Sequence, residues 1–129
     1  KGECEFEPYH AKMQNFIYDI LKQAPSYITE QVYIEKDRVD LKAQTRTGEW
    51  HFFEIKTDSP KLSIRKDLGQ IMEYTFFPNE KRAQKMFIIS DTPPNREVKS
   101  YLQLIRNNFN IPIYYKYFDF ETEQLYGEY

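Results

Sequence analysis

Glu54 and Lys56 stand two residues apart in Trp50-His51-Phe52-Phe53-Glu54-Ile55-Lys56-Thr57, a run that is otherwise apolar and aromatic. In a strand, side chains at i and i+2 point to the same face, so this carboxylate and this ammonium project together. Burying a charge is costly unless it is paired or bound. Upstream, Asp40 lies in Arg38-Val39-Asp40-Leu41, a second strand-like run. Two carboxylates and a lysine suit metal-assisted hydrolysis of a phosphodiester. A divalent metal polarises the phosphoryl oxygen and activates water. Mg²⁺ takes oxygen ligands, commonly one or two carboxylates plus a substrate phosphate. A nearby lysine lowers the pKa of the attacking water or stabilises charge that develops on phosphorus.

Those residues converge only if the surrounding elements place them. Met13, Phe16, Ile17, Ile20, Leu21 and Ala24 repeat at three and four and predict a helix. Pro8 suits its first position and Pro25 closes it near Ala24. His10 falls on its inward stripe, and Glu7 continues that stripe toward the N-terminus. Residues 27–35 read as a strand with Ile28, Val32 and Ile34 on one side. Residues 38–46 alternate, with Val39, Leu41 and Ala43 on one face, and residues 50–57 form the next strand. Thr47-Gly48-Glu49 is the turn between them, Gly48 being free to take a positive φ. A hairpin centred on Gly48 sets Asp40 opposite Lys56 and Lys42 opposite Glu54. Asp40, Glu54 and Lys56 then lie within roughly 5–8 Å of one another. A one-residue slip would turn Asp40 to the other side.

After a loop at 57–60, residues 62–77 read as a helix with Ile64, Leu68, Ile71, Met72, Thr75 and Phe76 inside, ended by Pro78. Residues 86–91 are a wholly apolar strand of the type covered on both faces. A helix over about 95–108 buries Val98, Leu102 and Ile105. Ile111 to Tyr117 is another strand, and the remainder is a turn with a weak last strand. The order predicts an α/β domain whose central mixed sheet, a three-strand antiparallel meander plus further strands, is flanked by helices.

The length, 129 residues, fits one domain spanning 1–129. The chain begins with Lys1, which leaves room for a larger parent protein. The net charge of −2 gives no direct support for a nucleic-acid partner, but its distribution does not exclude one. Of the 20 acids, four (Asp119, Glu121, Glu123 and Glu128) lie in residues 119–129, leaving 16 against 18 Lys and Arg in the rest. Local fields, not the total, steer a polyanion. The single cysteine, Cys4, excludes an internal disulfide framework and a Cys-rich zinc site, and fits a reducing, intracellular setting in cytoplasm or nucleoid. No apolar run approaches the length of a membrane span.

The pattern resembles the PD-(D/E)XK nuclease superfamily. Its signature is an acid at the start of one strand and Glu-x-Lys on the next, here Val39-Asp40 and Glu54-Ile55-Lys56. The following helix carries Gly69-Gln70-Ile71-Met72-Glu73-Tyr74, which resembles the Gln-x-x-x-Tyr motif of the RecB-like branch. Gln70 and Tyr74 are i,i+4 neighbours on one helix face. The resemblance implies a restriction-endonuclease-like core and a Mg²⁺-dependent nuclease acting on DNA, Mn²⁺ substituting. Asp40, Glu54 and the carbonyl of Ile55 would hold the metal, Lys56 would be the catalytic lysine, and Gln70 and Tyr74 would position substrate. Members often add an acid or His from the first helix, for which Glu7 and His10 are candidates. It also implies partners beyond DNA: a second copy where both strands are cut, or a fused or separate helicase or recognition domain. The chain departs from the pattern at Val39, where the nominal residue is Pro.

Blander readings compete at each position. Glu54 and Lys56 could be a solvated strand face, but Trp50, Phe52, Phe53 and Ile55 put apolar groups on both sides. Gln70 and Tyr74 could be ordinary helix residues, and His10 a packed core histidine. His51 falls opposite Glu54 and reads as structural. Lys61, Arg65 and Lys66 open the second helix, whose N-terminus favours phosphate, and are candidate DNA contacts or simply solvated charge. Lys81, Arg82 and Lys85 read as a solvated turn. The alternative function is a non-catalytic DNA-binding or protein-interaction module of the same fold. A small-molecule phosphate-ester hydrolase is a weaker one.

Overall fold

The computed structural model describes residues 8–36, 39–57 and 60–129, with the side chains at 8, 60–63 and 65 also outside the described residues. In chain order the elements are α1 (Pro8–Gln23), β1 (Tyr27–Ile34), β2 (Leu41–Thr45), β3 (Trp50–Lys56), α2 (Pro60–Phe76), β4 (Lys85–Ser90), α3 (Arg96–Phe109), β5 (Ile113–Asp119) and β6 (Gln124–Tyr126). The six strands form one mixed sheet in the order β1-β2-β3-β4-β5-β6. β1 to β3 are an antiparallel meander, β3–β4 and β4–β5 are parallel, and β6 returns antiparallel. The α/β class, the meander and the flanking helices agree with the expectation from sequence.

Helices cover both faces. Met13, Ile17 and Leu21 of α1 pack on Leu41, Ala43, Phe53, Ile55, Phe87 and Ile89. Ile64, Leu68 and Ile71 of α2, with Val98, Leu102 and Ile105 of α3, pack on Phe52, Met86, Ile88, Ile113 and Tyr115 on the other side. β4 is covered on both faces, as its unbroken apolar run predicts. α3 starts at Asn95, whose side chain accepts the Val98 amide at 2.8 Å, and ends at Asn110 in the left-handed region (φ 58). Among the described residues no helix is long and apolar enough to cross a membrane.

The β2–β3 hairpin differs from expectation in a way that bears on the site. Gln44 pairs with Trp50, and the Thr45 amide donates to the Glu49 carbonyl at 2.8 Å. The turn is therefore the three-residue loop Arg46-Thr47-Gly48, with Gly48 (φ +94) at its last position and not at its centre. A three-residue hairpin loop places its left-handed residue there. Each β2 residue meets a β3 partner two positions earlier than expected, so Lys42 faces Phe52 and not Glu54. Two residues is one full strand period, so the faces are kept.

The alternation of Val39 with Leu41 and Ala43 does not hold. Val39 belongs to the α2–α3 side of the core, Leu41 and Ala43 to the α1 side. Leu41 pairs with Phe53, and the Asp40 amide also donates to the Phe53 carbonyl at 3.0 Å. Two residues set against one is a bulge, and the extra residue reverses the alternation before it. β1 carries its own register shift between Tyr27 and Val32, which puts those two in one core and leaves Ile34 39% exposed. Arg82 and Lys85 are not a solvated turn. Arg82 donates to the carbonyls of Tyr74 (2.9 Å) and Phe77 (2.6 Å), tying off the end of α2. Lys85 lies in β4, 2.7 Å from Glu128, and that hydrogen bond holds its pKa above the usual lysine value.

Candidate functional site

Asp40 occupies the bulge where the β2–β3 ladder stops. Its Oδ2 accepts the Ile55 amide at 2.8 Å, so the carboxylate replaces the next backbone acceptor of β2. Its Oδ1 lies 3.3 Å from His10 Nε2. Gln14, one helical turn after His10, donates to the Asp40 carbonyl at 2.9 Å. Residues i and i+4 share a helix face, so α1 grips Asp40 through two side chains at once. The Asp40 side chain is buried.

Glu54 is buried as well, on the face of β3 toward α2 and α3, beside Phe52 and with Ile88 as its parallel partner. Lys56 shares that face and extends to α2, where its Nζ sits 2.7 Å from Asp67 Oδ1. Asp67 is fully buried. Within a strand the C=O of a residue points the same way as its N–H. The Ile55 N–H faces Asp40, so its carbonyl also faces the gap beyond the end of β2.

The structure thus brings Asp40 to Ile55 and His10, and Lys56 to Asp67. The expected pairing of Asp40 with Lys56 across the strands is replaced by Asp40 against the Ile55 backbone. Gln70 is exposed, while Tyr74 is half-buried and lines one cavity with Phe52 and Trp50. Lys66 is exposed on α2. Glu7, and the side chains of Lys61 and Arg65, lie outside the described residues. His51 is on the α1 side, as expected. It lies 2.7 Å from the Tyr27 hydroxyl, and burial pushes its pKa below the ordinary histidine value.

Sequence reasoning missed Asp67 and Gln14. Asp67 could have been found, because Ile64, Asp67, Leu68 and Ile71 complete an i, i+3, i+4, i+7 stripe. Gln14 follows His10 by one turn and shares its inward direction.

Comparison with protein-family models, with curated proteins and with solved structures finds no match. The chemistry of the site therefore rests on its own geometry. Three carboxylates (Asp40, Glu54 and Asp67) are buried around the end of β3, and the basic groups seen against them are Lys56 and His10. Buried carboxylates need compensating charge. Among the described residues no three His, Cys, Asp or Glu side chains cluster closely enough to hold a metal ion by themselves. Asp40, Glu54 and the Ile55 carbonyl offer oxygen atoms, the kind of group that Mg²⁺ and Mn²⁺ take as ligands.

Proposed function

We propose that this domain is a metal-dependent nuclease of the PD-(D/E)XK type with a restriction-endonuclease-like core, hydrolysing phosphodiester bonds in DNA. The observation that carries the reading is the Asp40 carboxylate seated on the Ile55 amide, between Glu54 and Lys56 in the sequence of β3. The run helix, three-strand meander, helix and parallel strand supports it, as does the Gln-x-x-x-Tyr spacing of Gln70 and Tyr74 in the sequence of α2.

Asp40, Glu54 and the Ile55 carbonyl would hold Mg²⁺ or Mn²⁺. Such an ion, when bound, polarises the scissile phosphate and acidifies water. His10 and Gln14 fix the orientation of Asp40, as the partners of a metal-binding carboxylate commonly do. Asp67 holds the Lys56 ammonium at the rim of β3, where its protons can stabilise charge on the attacking oxygen or the phosphorane. Lys66, with Lys61 and Arg65, would meet the DNA backbone at the N-terminal half of α2.

The test is cleavage of plasmid and single-stranded DNA with Mg²⁺ or Mn²⁺. Asp40→Asn, which keeps an acceptor for the Ile55 amide, and Glu54→Gln should each lose about 10²–10³-fold. Equal cleavage by wild type and both variants would refute the reading. The absence of a three-side-chain metal cluster among the described residues favours a second one, a non-catalytic DNA-binding or protein-interaction module of the same fold. Calorimetric titration with Mn²⁺ separates them: the nuclease binds the ion and Asp40→Asn weakens it, whereas the module binds none there.

A further inference from the structure

We propose that the cavity between β1–β3 and the C-terminal half of α2 is a pocket for one unpaired nucleobase of the nucleic acid strand being cut. The cavity measures about 360 Å³, and its walls include Glu35, Lys42, Trp50, Phe52, Tyr74 and Arg82. That is the low end of the range for ligand pockets, the scale of a nucleoside and too small for a base pair with its backbones.

Three of those walls are aromatic, and every base has a face to stack on them. Tyr33 lies against Trp50 with ring centroids 6.3 Å apart at 30°, and Lys42 Nζ stands 5.4 Å from the centroid of each. An ammonium over two rings beside an open cavity can meet both a π-system and a phosphate. Glu35, 3.5 Å away, steadies it. The pocket is also braced. Gln84 holds the Trp50 backbone twice: its side-chain oxygen accepts the Trp50 N–H at 2.7 Å and its own amide donates to the Trp50 carbonyl at 2.8 Å. Arg82 pins the end of α2 through the Tyr74 carbonyl.

Position ties the pocket to the site. Phe52, one of its walls, precedes Glu54 by two residues on the same face, so the two positions stand about 7 Å apart along β3. That is the reach from a phosphate to a base of the same strand. The proposal rests on the nuclease reading for where the phosphate lies. A paired base cannot enter, so the strand must be single or locally opened.

Trp50 is the only tryptophan in the chain, so its fluorescence reports the pocket alone. In metal-free buffer with chelator, short single-stranded oligodeoxynucleotides, the matching oligoribonucleotides and a blunt duplex are titrated against the protein, with binding followed in parallel by anisotropy of labelled strands. Saturable quenching by single strands, at least tenfold weaker for the duplex, is expected, and the RNA arm shows which sugar is accepted. Tyr74→Leu should weaken the apparent affinity about 5- to 100-fold, the range of a lost stacking contact, and Lys42→Met about 2- to 30-fold, the range of a lost cation–π contact. Thermal melts of both confirm folding. Asp40→Asn should leave the quenching in place. Unquenched Trp50 with strands that bind overturns the pocket while cleavage can still stand. Equal quenching by the duplex overturns it too. Quenching that Lys42→Met weakens, with no cleavage under any metal, supports the pocket and removes the nuclease.

Discussion

Replacing Lys56 with Met separates a structural role from a chemical one. Asp67 is fully buried and lies 2.7 Å from the Lys56 ammonium, which is itself 21% exposed. The two partners are therefore not equivalent. Lys56→Met keeps the apolar stem but leaves a fully buried carboxylate short of its ammonium. Breaking a buried pair from one side costs about 3–5 kcal/mol. Asp67→Asn removes the buried charge and leaves a lysine that can turn toward water. Its cost should be nearer 1–3 kcal/mol, the loss of a charged hydrogen bond. The double variant Lys56→Met/Asp67→Leu replaces the pair with packing and should recover most of the stability. With an unfolding slope of about 2 kcal/mol per molar urea, Lys56→Met should lower the midpoint by roughly 1.5–2.5 M. Trp50 emission and circular dichroism read the transition. A Lys56→Met midpoint within 0.5 M of wild type (about 1 kcal/mol at that slope), or a double variant as unstable as the single one, would refute the reasoning.

Two further predictions concern the frame. Asn95→Ala removes the acceptor for the Val98 amide at the start of α3 and should cost about 1 kcal/mol, measured by urea denaturation. His51 is buried against Tyr27, and desolvation depresses its pKa below the ordinary 6.5, more strongly than Glu49 raises it. Below about pH 6.5 the unfolded chain takes up a proton that folded His51 refuses until lower pH. Stability should thus fall as pH drops through that window, at most about 1.4 kcal/mol per pH unit from this group, and be indifferent to His51 above it. His51→Asn, which keeps an acceptor near the Tyr27 hydroxyl, should flatten that part of the profile; identical slopes in wild type and variant would rule it out.

The elements were legible because their signals are local. Pro8 and Pro25 bracket α1, Asn95 caps α3, and the apolar run of β4 announces a strand covered on both faces. What the sequence hid was the placing of single residues across the hairpin. Gly48 is visible as a turn residue, but a positive φ fits either the centre or the last position of a turn, and the two differ by two residues of register. The bulge at Asp40 has no composition of its own. It follows from a carboxylate competing with the backbone for the Ile55 amide, a contact between residues fifteen apart. Asp67 was overlooked for another reason: it completes the inner stripe of α2, but an acid there reads as a break in the apolar pattern until its partner, Lys56 on another element, is known. Arg82 looked solvated because its acceptors are backbone carbonyls, which sequence does not distinguish.

The strand order in space repeats the order in the chain, and this sets when the charges leave water. No strand has to be inserted between two already paired; each docks on the edge left by the one before. On a ribosome supplying about 5–20 residues per second, α1 and the β1–β3 meander are available first. α1 closes the apolar side through Met13, Ile17 and Leu21, while the opposite side waits for α2 and α3. Glu54 and Lys56 stand on the side that waits. They can stay hydrated through the early steps and become dehydrated when α2 arrives, and α2 is the element that carries Asp67 to Lys56. The helix that excludes water from Lys56 is thus also the one that carries its partner, Asp67.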